Sequence, residues 1–268
     1  MRFDPRIECS IQEGLATRLV LDASLIRLTA EDVALHNYFL RAVAALLSTL
    51  TDAPTVQELS SAISKLAEIF RALSLPATST LQGLWAELLV VCNARDVHLA
   101  AQAWHPTRRS LFDFDVGNEA VDVKSSITGI RKHHFKLAQL QPPSSKRIVV
   151  MSLLLTPSSS ASSINDLWER IQSRLSERPE LVSRLAQVIA NAVGTDWRHA
   201  HATQFDEASA LSSLAVYAAT EIPQPQDPDN PNVTDVEFSS DLSSLSTSPL
   251  PAIAAGNKLL TALLPIGS

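Results

Sequence analysis

The chain has 268 residues, 46% of them hydrophobic and 19% charged, with a net charge of −6. That suffices for one large domain or two smaller ones with a real core, and the acidity argues at first against a nucleic-acid surface. No run reaches the ~18 apolar residues of a membrane span, and the opening "MRFDPRIECS" has no apolar stretch of the kind a secretory signal carries.

In chain order, residues 16–29 ("ATRLVLDASLIRLT") predict one or two strands. Apolar residues at helical spacing predict helices over 31–50, with Thr29 as N-cap, and over 55–74, ended by Pro76. A third helix is predicted over 79–96, apolar around most of its circumference and therefore buried. Short strands follow at 99–104, 110–116 and 119–126, then a short helix at 134–141. The continuous apolar run "RIVVMSLLL", 147–155, has the pattern of a central buried strand. Two helices broken near Pro179 are expected over 163–192, a strand over 209–222, and an exposed proline-rich loop over 223–231. A late strand "NVTDVEFS" and a closing helix "AIAAGNKLLTALL" complete the chain, with serine clusters at 157–163 and 239–248 read as loops.

Cys9 and Cys92 stand far apart and form no C-x-x-C, the pattern of reduced thiols in a cytosolic protein. Charge is uneven. Residues 95–150 hold nine Lys/Arg against five Asp/Glu, a net +4, while the remainder is −10. Such a window is either a phosphate-facing patch or an ordinary fluctuation.

Inside that window lies "FDFDVGNEAVDVKSS", residues 112–126. Gly117-Asn118 reads as a two-residue type II′ hairpin turn. Val116 then faces Glu119, and Asp113 faces Asp122. Strand alternation puts Asp113, Asp115, Asp122 and Lys124 on one face, with Phe112, Phe114, Val121 and Val123 on the other. Carboxylates directly opposite each other destabilise a strand pair. A hard divalent cation, which takes oxygen ligands, removes the conflict.

With Glu87 on the preceding helix ("GLWAELLVV"), Asp113 in "LFDFD", and Asp122 and Lys124 in "VDVKSS", the chain resembles the PD-(D/E)XK nuclease superfamily. Within it, the likeness is to the PD-(D/E)XK motif proteins linked to bacterial restriction–modification and defence loci. Gln139 in "FKLAQLQ", the Trp of "QAWHP" and the segment "YAATEIPQ" add to the likeness. The resemblance departs at Phe112, where the superfamily has proline, and at Asp122, where glutamate is common.

The resemblance implies an α/β fold with a restriction-endonuclease-like α-β-β-β-α-β core, a mixed sheet flanked by helices. That core is expected over 79–156, with an N-terminal elaboration over 1–78 and a C-terminal one over 157–268. It implies Mg²⁺-dependent DNA hydrolysis, with Mn²⁺ able to substitute. Asp113, Asp122, the Val123 carbonyl and Glu87 would hold the metal, Lys124 would stabilise the attacking hydroxide or developing charge, and Gln139 would position Lys124 or touch phosphate. Asp115, without a matching motif position, would lie behind them.

Candidate DNA contacts are Arg108, Arg109, Ser125, Ser126, Arg131, Lys132 and His134, whose segment reads equally as a solvated loop. Arg108 and Arg109 either clamp phosphate or cap a loop. Trp85 and Trp104 read as core, and His199 and His201 as surface residues. Implied partners are DNA and helicase-like, ATPase and methyltransferase subunits, in the cytoplasm, with no membrane. The rival reading is a non-catalytic scaffold of the same fold that binds DNA or partner subunits. An intact Glu87, Asp113, Asp122 and Lys124 set tilts towards an enzyme.

Overall fold

The computed structural model describes residues 2–13, 16–29, 33–107, 110–141, 145–200, 202–226, 232–247 and 250–265. It opens with a long antiparallel hairpin, β1 (Arg2–Glu13) and β2 (Ala16–Arg27). The first of these strands had no counterpart in the sequence reading. Helices α1 (Val33–Leu47) and α2 (Val56–Ala72) lie inside the ranges expected for them. A capping box between Thr55 and Glu58 starts α2. Both helices pack on the later helix Pro179–Val193, and Phe39, Ala42, Leu46 and Leu66 form a small core of their own.

Helix α3 (Leu81–Asn93) starts where the Thr80 side chain accepts the Gly83 N–H. Every residue from Leu84 to Cys92 is buried, as its all-round apolar surface requires. The segment expected to be a strand at 99–104 is instead helical, as α4 (Val97–Ala103). The Asp96 side chain accepts the Leu99 N–H at 3.0 Å, and alanine has the best intrinsic helix propensity.

Strands β3 (Phe114–Val116) and β4 (Glu119–Ser126) form the expected hairpin, with Val116 opposite Glu119. Gly117 has φ +59° at the first central position, which suits the type II′ turn. The segment read as a helix over 134–141 divides into strand β5 (Lys132–Lys136) and helix α5 (Leu137–Leu140). Alternate residues of β5 are buried, a two-residue period that a helix reading overlooked. Strand β6 (Arg147–Leu154) pairs parallel with β4. The serines read as a loop at 157–163 form β7 (Pro157–Ser163).

Helices α6 (Ile164–Arg174), α7 (Pro179–Val193) and α8 (Trp197–Ala200) follow. Then β8 (Gln204–Phe205) pairs with β7. The expected strand over 209–222 is a helix capped by Asp206, α9 (Glu207–Ser212), and only then β9 (Ala215–Ala218). Strand β10 (Glu237–Asp241) pairs with β5. The single closing helix is two, α10 (Leu250–Ala254) and α11 (Lys258–Leu263), because Gly256 turns at φ +70° and Asn257 caps the second.

The central sheet has the order β3-β4-β6-β9, mixed in direction and flanked by helices, the restriction-endonuclease-like arrangement. Its α-β-β-β-α-β sequence runs through α3, β3, β4, β5, α5 and β6, with β5 as the third strand although it pairs in a separate two-stranded sheet. One face carries Phe114, Val121, Val123, Val149, Met151 and Val216 into a large core with α3, α6 and α7. The other carries Ala120, Val150 and Tyr217 into a second core with Phe135 and Leu140. Phe112 belongs to this second core, opposite Phe114, because residues 111–113 bend before the strand begins. Both faces of β4 are therefore covered, and its acidic face is not a solvated one.

Candidate active site

Strand β3 begins only at Phe114, so among the described residues that edge of β4 beyond Val121 has no neighbouring strand. Asp113 fills the gap: its Oδ2 accepts the Val123 N–H at 2.7 Å. In an extended strand the N–H and C=O of one residue point to the same edge, so the Val123 carbonyl faces this gap too. Trp104 at the end of α4 bridges to Phe114, and the His105 N–H donates to the Asp113 carbonyl at 2.7 Å. That ties the α4 terminus to the start of β3. Arg184 of α7 holds the same turn from behind, donating to the carbonyls of Ala101, Trp104 and His105.

These connections bring three side chains together. Glu87 Oε2 accepts the Trp104 indole N–H at 2.8 Å and lies 2.8 Å from His105 Nε2. His105 Nε2 lies 3.9 Å from Asp113 Oδ1. One ligand atom from each of Glu87, His105 and Asp113 falls within 4.8 Å of the others. Asp122, 2% exposed, stands beside them on β4. Gln139 donates to its Oδ1 at 3.0 Å, holding the carboxylate plane, while the Gln139 Oε1 accepts the Lys136 N–H. Lys124 Nζ is 2.8 Å from Asp122 Oδ2 and pairs with this buried oxygen ionically. Lys124 also lies over the Phe135 ring, 5.1 Å from its centre.

Burial pushes the Asp113 carboxyl well above the usual range, and the neighbouring charges of Glu87 and Asp122 push it further, against the Val123 N–H and the Lys124 ammonium. Burial also raises Asp122, with Lys124 opposing. Crowded carboxylates of this kind are relieved by a proton or by a cation. The donors fit a divalent cation on two counts: they are mostly hard oxygens, and one atom each from Glu87, His105 and Asp113 lies within 4.8 Å of the others.

The remaining candidates separate. Asp115 pairs with Lys146 at 2.6 Å rather than backing the carboxylate cluster. Ser125 accepts from Gln82 of α3 at 3.1 Å, beside the same edge, while Ser126 is buried. Arg131 turns inward, its guanidinium donating to the Ser152 carbonyl and hydroxyl and to the Ser213 carbonyl. Lys132 and His134 lie on the exposed side of β5. Arg108, Arg109 and His201 lie outside the described residues. His199 is exposed, and both Trp85 and Trp104 are fully buried. The sequence reading passed over His105, whose only signal was its place next to Trp104.

A family model described as "Putative PD-(D/E)XK family member, (DUF4420)" matches residues 6–243. No curated protein and no solved structure matches the chain.

Proposed function

From the chain's membership of this PD-(D/E)XK family, we propose that it is a divalent-metal-dependent deoxyribonuclease, the nuclease component of a bacterial restriction or phage-defence system. The observation that carries the reading is the convergence of Glu87, His105 and Asp113 on one point, with the charge of Asp122 near enough to raise Asp113 and Lys124 beside Asp122.

Glu87, Asp113, Asp122 and the Val123 carbonyl would hold Mg²⁺, or Mn²⁺ in its place. A bound divalent ion acidifies a water and neutralises phosphate charge. The chain's own residues do the rest. Gln139 fixes the Asp122 carboxylate through Oδ1, and Lys124 pairs with Oδ2. The Lys124 ammonium, half-buried beside that oxygen, can turn its donors to the attacking water or to a phosphate oxygen where negative charge develops. The Trp104 indole holds Glu87 in place before substrate arrives.

Lys132, His134 and Ser125 are the described side chains best placed to meet the DNA backbone, since phosphate contacts come mainly from basic and hydroxyl side chains. The net charge of −6 fits weak DNA binding by this chain alone and recognition by partner subunits, of which helicase-like, ATPase and methyltransferase components are the proposed kinds. A cytoplasmic setting follows from that substrate. Among the described residues no helix is long and apolar enough to cross a membrane.

The test is cleavage of plasmid and linear DNA in Mg²⁺ or Mn²⁺, with partner subunits present, by wild type and by Asp113→Asn. The expected outcome is cutting by the first and none by the second. Equal cutting by both refutes the site, and DNA retention without cutting by wild type favours the scaffold.

A further inference from the structure

His105 is held with more care than a surface histidine needs. Its backbone has φ +38°, in the left-handed region where non-glycine residues are uncommon and histidine, asparagine and aspartate are enriched. Strain of this kind persists only where the surroundings enforce it. Here they do so from two sides, through the bond from its N–H to the Asp113 carbonyl and through Arg184 on its own carbonyl. The result aims one nitrogen, Nε2, at two carboxylates, 2.8 Å from Glu87 Oε2 and 3.9 Å from Asp113 Oδ1. An ion with bonds of ~2.1 Å sets adjacent donors ~3 Å apart and opposite donors ~4.2 Å apart, so the 2.8 Å contact matches adjacent donors and the 3.9 Å contact falls between the two separations of one coordination shell. One ligand atom from each of Glu87, His105 and Asp113 lies within 4.8 Å of the others.

We propose that His105 Nε2 is a direct ligand of the cation held by Glu87 and Asp113, and that this nitrogen makes the site prefer Mn²⁺, or another borderline divalent ion, to Mg²⁺. The inference rests on the reading of this cluster as a cation site. An all-oxygen shell suits Mg²⁺, whereas imidazole favours the later first-row ions. A histidine that only oriented Glu87 would leave ion preference alone.

The experiment titrates the purified full chain, freed of metal, with Mn²⁺ and with Mg²⁺ by calorimetry, and records the Mn²⁺ spin echo for modulation from a bound nitrogen. The variants are His105→Asn, which tolerates the left-handed backbone, and Asp113→Asn. Wild type is expected to bind Mn²⁺ at least about tenfold more tightly than Mg²⁺ and to show the nitrogen signal. His105→Asn should lose ~10–100-fold in Mn²⁺ affinity with Mg²⁺ little changed. Asp113→Asn should lose both ions. A Mn²⁺/Mg²⁺ ratio that His105→Asn leaves unchanged, or the absence of a nitrogen signal in wild type, overturns this inference and leaves the proposed nuclease standing. Ion binding that Asp113→Asn does not weaken overturns the site itself. The wild-type nitrogen signal needs no variant, so it decides the matter even if His105→Asn does not fold.

Discussion

Asp113 Oδ2 accepts the Val123 N–H at 2.7 Å, so a side chain takes the place of a backbone partner where β3 stops short of its neighbour. The same carboxyl is pushed up by burial and by Glu87 and Asp122. Folded Asp113 therefore holds a proton that the unfolded chain releases near pH 3.9. The folded state binds more protons above that pH, so this group's contribution falls as pH rises and is regained on acidification. Asp113→Asn, which keeps an acceptor for Val123, should melt higher than wild type at neutral pH without metal, by ~2–4 °C per kcal/mol relieved for a chain of this size. It should also lose the rise in melting temperature that divalent ions give wild type. Melting curves at several pH values, with and without Mn²⁺, decide it; a metal response equal to that of wild type would falsify the assignment.

Lys124→Ala removes the ammonium that lies 2.8 Å from Asp122 Oδ2. Cleavage should fall by ~10²–10³-fold, the loss typical of a preorganised donor. The metal-free fold should also weaken at neutral pH, because a buried carboxylate is left without its partner, and recover with divalent ion. Single-turnover cleavage beside thermal melting separates the two effects. Undiminished cleavage would remove Lys124 from the mechanism.

His133 lies on the opposite side of the balance. It is buried, 2.8 Å from the Ser152 hydroxyl, and burial with the charges of Lys124 and Arg131 lowers its pKa to about 4. Folded His133 stays neutral where the unfolded side chain, titrating near 6.5, takes a proton. Stability should thus be lost as pH falls from about 6.5 to about 4, by on the order of 3 kcal/mol at most. Urea denaturation across that range should show the loss in wild type and flatten in His133→Gln. The slope is opposite in sign to that from Asp113, so the two variants should move the pH profile in opposite directions.

Arg184 touches no reacting group, yet its guanidinium holds the carbonyls of Ala101, Trp104 and His105 from α7. Lysine cannot reproduce that fork. Arg184→Lys is expected to cost about 1–3 kcal/mol, as buried acceptors lose their donors. It should also weaken Mn²⁺ binding, because the turn that aims His105 loosens. Calorimetry on the folded variant reads this directly; unchanged Mn²⁺ affinity would show that the turn holds its shape without Arg184.

Local patterns carried much of the fold. Helices α2 and α3, the run "RIVVMSLLL" as β6, the span of β4 and the Gly117-Asn118 turn were all readable from windows of a few residues. Where local signals were weak, the reading failed. Alanines at 99–104 read as a strand until Asp96 is seen to cap them, and the serines of β7 gain a strand only from pairing with β8.

For the site, the hairpin turn and two-residue period marked Asp113, Asp115, Asp122 and Lys124 as side chains of one face, while Glu87 and Gln139 came from the family resemblance. Only the tertiary structure decided how they meet. It turned Arg131 into the core, gave Asp115 to Lys146, and brought His105 between Glu87 and Asp113. The physical reason is that each of these contacts joins residues from separate elements, Arg131 to Ser152, Lys146 to Asp115 and Arg184 to His105. No periodicity within one element encodes where another element's donor will arrive; packing of the sheet against α3, α4 and α7 sets it.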